Sequence, residues 1–283
     1  MEPALIASLD RILTVALAED LGSSDVTTDA LVPEGTRASA FIRAKEHVVV
    51  CGLSAWKHTL TRCEGSPINF SAVPDGSAQT PGTILAEVEA DAAVLLSTER
   101  IVMNLVCHLT GIATVASAHT AVAGGLRILD TRKTTPGLRA LEKYAVRTGG
   151  AHNHRFGLDA GILIKENHIA VAGSITNAIT KARKHAPHSL KIQCEVCTPA
   201  EALEAVAAGA DALLLDNMND ETIAAIAAQV GQSVFLEASG NMNTHRIERL
   251  SPLAADGLDA VSVGALIHSR PYSDLSMILE VQS

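Results

Sequence analysis

Aromatic residues are scarce in this chain of 283 residues, and basic residues are fewer than acidic ones. Phe, Trp and Tyr make up 2% of the sequence. The 22 Lys and Arg residues stand against 31 Asp and Glu residues, so the formal net charge is −9. A surface that stacks bases needs aromatic side chains, and one that neutralises phosphates needs excess positive charge. The composition therefore predicts no nucleic-acid partner.

A long apolar run and a basic N-terminal segment are also missing. No uninterrupted apolar run reaches the roughly 18 residues of a membrane span, since threonine and histidine interrupt the closest stretch at 111–126. The N-terminal residues include early acids, so they predict a helix closed by Gly22 and not a secretory signal. Five cysteines, an odd number, predict no disulfide framework. We expect a cytoplasmic protein with no membrane partner.

The pattern of apolar residues changes near residue 115. Short strand-like runs and turn residues occupy 36–90, and a helical pattern covers 91–110. From residue 126, six apolar segments alternate with helical ones. We predict strands at 126–130, 162–165, 190–196, 212–216, 234–238 and 260–263, and helices at 136–147, 175–185, 199–208, 220–229 and 244–250. Such alternation is typical of a parallel sheet buried on both faces, and six strands predict an incomplete TIM-like α/β barrel.

Polar and small residues follow the predicted strands, at the edge where parallel α/β barrels carry their active sites. They are Asp130, Thr131, Arg132 and Lys133; Lys165, Glu166, Asn167 and His168; Glu195; Asp216 and Asn217; Ser239, Gly240 and Asn241; and Ser262, Val263 and Gly264. Cations, carboxylates and small residues together suit an anionic ligand with a divalent metal. Magnesium is usually held by one or two carboxylates plus ligand oxygens and water, so Glu195 and Asp216 predict a magnesium site. The alternative is a carboxylate neutralised by Lys165.

Positive charge is concentrated around two of these strand ends. Residues 130–168 hold seven basic and four acidic side chains, which makes this segment net +3 within an acidic chain. Thr135 and Pro136 predict an N-cap and the first helical residue. Arg132 and Lys133 would then lie beside a helix N-terminus, which attracts anions. The alternative for this pair is an ordinary exposed surface.

Two histidines and two cysteines have spacings found in metal sites. His152 and His154 are spaced for zinc, but no further ligands are recognisable, and an anion-facing His154–Arg155 pair is the alternative. Cys194 and Cys197 lie three apart on a predicted strand, so their side chains point to opposite faces and should not share a metal. The same alternation places Glu195 opposite Cys194, on the face that suits a barrel lumen.

Glycines close the last two predicted strands. Ser239-Gly240 and Ser262-Val263-Gly264 lie where such barrels commonly bind phosphate, because glycine lets backbone N–H groups come close to the ligand. A plain turn is the alternative for either motif taken alone. The two motifs together favour a phosphate site.

Motifs along nearly the whole chain resemble those of the quinolinate phosphoribosyltransferase family. They include DTRKTTPGLRALEKYAVR from Asp130, GAHNHRFGL from Gly150, LIKENHI from Leu163, LDN from Leu215, LEASG from Leu236 and SVGAL from Ser262. The resemblance implies an N-terminal α/β sandwich domain at 1–115, with the tail 270–283 able to pack back on it, and a catalytic α/β barrel at 116–269. It also implies a homodimer in which the partner's N-terminal domain covers each barrel mouth.

The resemblance further implies the reaction and the residues that serve it. Quinolinate and phosphoribosyl pyrophosphate would give nicotinate mononucleotide, pyrophosphate and CO2 in NAD synthesis, with Mg2+ as cofactor. Arg100 would reach the partner's site. The quinolinate set is Arg132, His154, Arg155 and Lys165; the phosphoribosyl pyrophosphate and magnesium set is Lys133, Glu195 and Asp216; the 5-phosphate pocket is Ser239, Gly240, Val263 and Gly264. Thr131 and Ser262 complete the substrate-binding set, and the catalytic residues would be Lys133, Lys165, Glu195 and Asp216.

Three other functions remain open from the sequence. A paralogous phosphoribosyltransferase of different specificity, such as the molybdenum-transport-associated relative, shares the fold. A Schiff-base barrel aldolase would use Lys165, which would then need to be desolvated with a lowered pKa. A non-catalytic binding module is the third alternative.

Overall fold

The structure is a computed structural model that describes residues 2–65 and 68–281. The chain forms two compact units. The first contains the residues up to Ser117, then Thr134–Gly150, then those from Ser269 onward; the second contains Ala118–Lys133 and Ala151–His268. The segment Thr134–Gly150, which the sequence pattern placed with the barrel, groups with the first unit. The last two residues of the predicted tail, 282–283, lie outside the described residues.

The helices and strands are numbered in chain order. The helices are α1 (Pro3–Leu21), α2 (Val26–Leu31), α3 (Leu53–Glu64), α4 (Ala92–Ala121), α5 (Arg139–Thr148), α6 (Glu166–Ala172), α7 (Ile175–His185), α8 (Pro199–Ala207), α9 (Asp220–Val230), α10 (Thr244–Leu250) and α11 (Ala265–His268), with a 3-10 helix at Ser251–Asp256. The strands are β1 (Arg37–Ala44), β2 (Val48–Val49), β3 (Asn69–Ala72), β4 (Ala78–Gln79), β5 (Ile84–Asp91), β6 (Arg127–Leu129), β7 (Ile162–Ile164), β8 (Ile192–Val196), β9 (Ala212–Asp216), β10 (Phe235–Ser239), β11 (Ala260–Ser262) and β12 (Leu275–Val281).

The first unit is built on an antiparallel sheet with the strand order β12-β1-β5-β3. Every second residue of β1, from Ala38 to Ala44, is buried, as the period of two in a half-buried strand requires. The core beneath this face contains Trp56 of α3 and residues of α4. Helices on an antiparallel sheet confirm the expected N-terminal α/β fold. Strand β12 pairs with β1, with Leu279 opposite Ala40.

Helix α4 has the length and composition of a membrane span, although it contains no uninterrupted apolar run. In its most apolar 18-residue window, 67% of the residues are buried within the protein. A core helix of a folded domain has the same composition, because it is surrounded by other apolar side chains. The expectation of no membrane partner therefore stays a prediction.

The second unit contains a parallel six-stranded sheet in the order β6-β11-β10-β9-β8-β7. All six predicted strands are present. The first strand, β6, pairs with the last, β11, as in a barrel, and among the described residues the sheet is open between β6 and β7. His152 makes a parallel bridge to Leu129 at this open edge. The predicted incomplete α/β barrel is confirmed.

The prediction of a helix start at Thr135 and Pro136 is wrong. Helix α5 begins at Arg139, and the backbone N–H of Leu138 donates to the Thr135 carbonyl in a turn before it. Gly137 has a φ of 85°, which belongs to the left-handed region and not to a right-handed helix. The N–H of Thr135 donates instead to the Glu142 carboxylate at 2.9 Å. Arg132 and Lys133 therefore precede a turn and do not lie at a helix N-terminus.

Candidate active site

A cavity of about 650 Å³ lies at the carboxyl ends of the parallel strands in the second unit. Its lining includes every residue of that unit in the predicted substrate-binding set: Thr131, Arg132, Lys133, His154, Arg155, Lys165, Glu195, Asp216, Ser239, Gly240, Ser262, Val263 and Gly264. Leu163, Leu214, Asn217, Glu237, Asn241, Met242, Ala265 and His268 complete it. The short strands place side chains from all six strand ends around one space, as this barrel architecture requires.

Arg100 is the one residue of the predicted substrate-binding set that does not line this cavity. Asp130, Glu166, Asn167 and His168, which also follow predicted strands, are not part of the lining either. Arg100 lies on α4 in the first unit, with 69% of its side chain exposed. Asn104 and Cys107, which share its polar stripe on the helix, line a smaller cavity of about 270 Å³ with it. Whether Arg100 serves a site on a partner chain stays a prediction.

The charge of the cavity lining differs from that of the whole chain. Four cationic side chains line it, from Arg132, Lys133, Arg155 and Lys165, against the carboxylates of Glu195, Asp216 and Glu237. The lining is thus net +1 with histidines neutral, in a chain whose net charge is −9. In a partly enclosed space such charges interact more strongly than in bulk water. The cavity suits an anionic ligand.

The buried carboxylate of Asp130 organises the loop that carries His154 and Arg155. Asp130, at the end of β6, is fully buried. It accepts hydrogen bonds from Asn153 Nδ2 at 2.6 Å and from the backbone N–H of His154 at 2.8 Å. These bonds tie the loop to the open edge of the sheet. Asp130 therefore shapes the site from beneath and does not line the cavity itself.

His154 contacts a carboxylate that sequence reasoning missed. The backbone N–H of Arg155 donates to His154 Nδ1 at 2.7 Å. Since Nδ1 accepts a hydrogen bond, the proton of the neutral ring lies on Nε2. Nε2 is 3.3 Å from Glu237 Oε2. Both ring nitrogens of His154 thus have protein partners.

Glu237 is almost completely buried in the floor of the cavity. Burial acts to raise its pKa, but hydrogen bonds from His154, Ser262 and Gln193 outweigh this effect and lower the pKa below the ordinary value of 4.5. The Gln193 Nε2 donates to Glu237 Oε2 at 2.8 Å. A carboxylate so well provided with donors stays ionised at neutral pH. The alternation along β10, which puts Glu237 on the same face as Ser239, is the signal that could have identified it.

The guanidinium of Arg155 is held in place by the loop that follows it. Its Nη1 donates to the Gly161 carbonyl at 2.9 Å. Burial, and then the nearby positive charge of Arg132, lowers the pKa of Arg155 from its ordinary value. A guanidinium remains protonated in proteins even so. Two adjacent guanidinium groups that repel each other gain stability when an anion binds between them.

Lys165 and Glu195 form an ion pair at neighbouring strand ends. Lys165 Nζ is 3.2 Å from Glu195 Oε2, and 51% of the lysine side chain is exposed. A Schiff-base lysine needs a desolvated, less basic amine. An exposed ammonium beside a carboxylate has the opposite surroundings. This contact argues against the aldolase hypothesis. It also shows that Lys165 can neutralise the Glu195 carboxylate, which the sequence left open as an alternative to a metal site.

Among residues 2–65 and 68–281, no group of three or more His, Cys, Asp or Glu side chains is placed to hold a metal ion. His152 is exposed. His154 Nδ1 accepts a hydrogen bond from the Arg155 backbone, and its Nε2 lies 3.3 Å from Glu237 Oε2, so both of its ring nitrogens already have protein partners. Cys194 is buried within β8, while Cys197 is exposed just after the strand. Since Cys197 follows the last residue of β8, the alternation predicted for these two thiols does not apply to it.

The two predicted phosphate glycines lie where backbone and side chains come very close. Gly240 has a φ of 95°, and a Cβ at this position would lie 2.1 Å from Asn217 Oδ1. A Cβ on Gly264 would lie 2.9 Å from His268 Nε2 and 3.2 Å from Lys133 Cδ. The close approach of neighbours thus explains both glycines. His268 lies four residues after Gly264, one helical turn away, and this spacing is the signal that could have identified it as a site residue.

Comparison with known proteins decides the family. The model of the quinolinate phosphoribosyl transferase N-terminal domain matches residues 25–110, and that of the C-terminal domain matches residues 112–278. The chain belongs to the quinolinate phosphoribosyl transferase family. The predicted family is therefore confirmed over both domains.

Relatives in this family resemble the chain over nearly their whole length. A probable nicotinate-nucleotide pyrophosphorylase [carboxylating] of Bacillus subtilis (strain 168) is 39% identical over 271 residues, which cover 95% of this chain and 92% of that protein. A nicotinate-nucleotide pyrophosphorylase [carboxylating] of Mycobacterium leprae (strain TN) is 39% identical over 275 residues, covering 93% and 94%. The crystal structure of NadC from Streptococcus pyogenes has 38% identity and a TM-score of 0.93, and covers 100% of this chain and 99% of that one.

Proposed function

We propose that this family member is a decarboxylating pentosyltransferase. It joins quinolinate to phosphoribosyl pyrophosphate and releases nicotinate mononucleotide, pyrophosphate and CO2, a step in NAD synthesis. The relatives' name, which ends in "carboxylating", describes the same reaction in reverse. The observation that carries the proposal is a cavity lined by four cationic side chains, in a chain that both family models match.

The two substrates need such a cavity because both are polyanions that repel each other. Arg132, Arg155 and Lys165 lie at the β6 and β7 side, where they can bind the two ring carboxylates of quinolinate. Lys133 and the glycine-containing strand ends lie near the Gly264 corner, where they can bind phosphoryl oxygens. Holding both anions in fixed positions turns an encounter between them into an intramolecular reaction.

In the first step, the ring nitrogen of quinolinate uses its lone pair to form a bond with the anomeric carbon. The bond from that carbon to the pyrophosphate oxygen breaks, and the electron pair leaves with pyrophosphate. Negative charge grows on the departing oxygens. Lys133, a compact point charge, is the side chain that we expect to stabilise this charge electrostatically.

The second step removes the 2-carboxylate. The ring nitrogen is now a positively charged pyridinium, so the electron pair left at the neighbouring carbon is stabilised when the carbon–carbon bond breaks and CO2 leaves. That carbon then takes a proton from water. The mechanism assigns no dedicated base to either step, because the ring itself accepts the electrons.

We also propose Mg2+ as the cofactor. Glu195 and Asp216 both face the cavity, and two carboxylates are too few for a metal cage made by protein alone. They suit magnesium, which usually keeps water and substrate oxygens among its ligands. When bound, the ion would neutralise charge on the pyrophosphate group. Asn217 Nδ2 donates to Asp216 Oδ2 at 2.9 Å and orients this carboxylate.

A homodimer and a cytoplasmic location without a membrane partner belong to the proposal too. Arg100 is exposed and is not among the residues that line the barrel cavity, which supports a role for it in a partner's site. Small charged substrates support an enzyme that works in the aqueous compartment of the cell. Sedimentation of the purified chain and fractionation of cells test these two points.

The direct test is an assay of the purified chain with quinolinate, phosphoribosyl pyrophosphate and Mg2+. Chromatography follows nicotinate mononucleotide, and trapping of labelled CO2 follows the lost carboxylate. We expect both products in equal amounts. Neither product at saturating Mg2+ would overturn the proposal, whereas turnover with another acceptor in place of quinolinate would support a paralogous phosphoribosyltransferase.

A further inference from the structure

Arg246 connects two loops that contribute to the cavity, although it does not line the cavity itself. It lies in the first turn of α10, and its guanidinium makes three hydrogen bonds. Nη1 donates to the Gly240 carbonyl at 2.6 Å, Nη2 to the Met218 carbonyl at 2.5 Å, and Nε to Asp220 Oδ1 at 2.8 Å. Only 14% of the side chain is exposed. These bonds join the loop after β9 to the loop after β10.

Both loops lie next to or contain residues of the phosphoribosyl pyrophosphate and magnesium half of the proposed site. The loop after β9 begins directly after Asp216, and the loop after β10 contains Gly240. Their contact is close, because Asn217 N–H donates to the Ser239 carbonyl at 3.0 Å and Asn217 Oδ1 fills the space where a Cβ of Gly240 would lie. A shift of either loop would therefore displace the other.

The backbone of these loops also adopts conformations that need outside support. The φ of Asn217 is 54° and that of Asn241 is 50°. Among the described residues these are the only two non-glycine residues with positive φ. Asparagine adopts this conformation more readily than other residues with a Cβ, but less readily than glycine. The conformation persists where surrounding contacts hold it in place. The bonds from Arg246 to the carbonyls of Met218 and Gly240, next to these residues, supply that restraint.

Arginine is suited to this position by the geometry of its side chain. The planar guanidinium presents five N–H donors in a rigid fork, so it can bond two carbonyls and a carboxylate at the same time. Asp220 balances its charge, and bonds from Arg246 and Arg249 outweigh burial and lower the pKa of this carboxyl. A lysine has one nitrogen and cannot reach acceptors on both loops in the same arrangement.

We propose that Arg246 is a positioning residue for the phosphoribosyl pyrophosphate half of the site. It holds the loops after β9 and β10 in the one arrangement that places Asp216 and Gly240 for this substrate. The proposal rests on the proposed function and deepens it. Loss of Arg246 should change the binding of quinolinate little. The residues predicted to bind quinolinate lie after β6 and β7, on loops that Arg246 does not contact.

Arg249 offers a matched control on the same helix. Its Nε and Nη2 donate to Asp220 Oδ2 at 3.1 and 3.0 Å, its side chain is 62% exposed, and no bond to either loop carbonyl is found for it among the described residues. Arg246→Met and Arg249→Met thus remove the same group beside the same carboxylate.

Steady-state kinetics should give Arg246→Met a KM for phosphoribosyl pyrophosphate raised roughly ten- to hundred-fold, with the KM for quinolinate nearly unchanged. Arg249→Met should leave both KM values nearly unchanged.

Two further measurements separate positioning from a loss of folding. Free guanidinium ion should partly restore the affinity of Arg246→Gly for phosphoribosyl pyrophosphate, because the ion can occupy the place of the missing side-chain group. Hydrogen–deuterium exchange should be faster in residues 217–219 and 240–243 of Arg246→Met than in Arg249→Met, and this readout does not depend on turnover. Equal KM increases for both substrates, or exchange in the two loops that matches the control, would overturn the proposal. A wild-type chain without turnover but with the loop effect would contradict the proposed function alone.

Discussion

The Nζ of Lys165 lies 3.2 Å from Oε2 of Glu195. A side chain predicted to bind quinolinate is therefore in contact with one predicted to bind magnesium. These side chains come from the ends of the adjacent parallel strands β7 and β8. Each side chain stabilises the charge of the other, because opposite charges at this distance attract. The two halves of the proposed site are therefore coupled through this pair.

Arg132 should be needed for quinolinate binding. In Arg132→Ala we expect the KM for quinolinate to rise about ten- to hundred-fold, because a hydrogen bond to a charged group contributes roughly 1.5–3 kcal/mol. Steady-state kinetics with quinolinate as the varied substrate measures this change. Lys184→Ala, at an exposed position on α7, is the control. An unchanged KM in Arg132→Ala would remove this residue from the quinolinate set.

Asp216 should affect metal-dependent turnover more than quinolinate affinity. In Asp216→Asn we expect kcat to fall at least about ten-fold and the Mg2+ concentration for half-maximal rate to rise, since one of two carboxylate ligands is lost. Titration of the rate with Mg2+ measures both effects. Asp256→Asn makes the same chemical change at an exposed position and should behave as wild type. Identical Mg2+ curves for the two variants would argue against Asp216 as a ligand.

Two inactive variants should complement each other if Arg100 serves the partner's site. Arg100→Ala and Lys133→Ala are each expected to lose most activity. In a hybrid dimer, one site would combine an intact barrel with an intact Arg100, so an equal random mixture should regain about a quarter of wild-type activity. Rates measured before and after subunit exchange test this. No recovery in a mixture that demonstrably forms hybrids would place Arg100 in the site of its own chain or in none.

Glu237 should make the free energy of unfolding decrease as the pH is lowered below neutrality. Its folded-state pKa is lowered from 4.5, so its contribution to the free energy of unfolding is complete above that value and is lost as the pH falls through the folded pKa. Glu237→Gln should be less stable at neutral pH and lose less stability on acidification. Urea unfolding between about pH 7 and pH 3 measures this. Asp211 and Asp220 also have lowered pKa values, but they are present in both proteins. Parallel stability curves for the two proteins would show that Glu237 is not ionised in the way that its contacts indicate.

The order and spacing of residues along the chain were enough to predict the barrel and most of the cavity lining. Buried parallel strands are short apolar runs, and the residues that follow them lie at one edge of the sheet. Lys133, Glu195 and Asp216 could therefore be placed together from the sequence. The resemblance added roles for these residues. Local rules failed between Thr135 and Leu138, because the Glu142 carboxylate takes the Thr135 N–H and a left-handed Gly137 delays the helix.

Contacts between residues that are far apart in the chain determine which side chains hold the site together. The contact between His154 and Glu237 joins residues 83 positions apart, and Arg246 reaches the carbonyl of Met218, 28 positions away. The resemblance implied that the tail could pack on the first domain, but the pairing of β12 with β1 and its register, with Leu279 opposite Ala40, come from the structure. Such partners leave no local signal, since a polar residue on a strand or helix has the same periodicity whether it faces water or a buried acceptor. The spacing of apolar residues determines which face of a helix or strand is buried. The packing of helices and strands that are distant in sequence determines which side chains that face contacts.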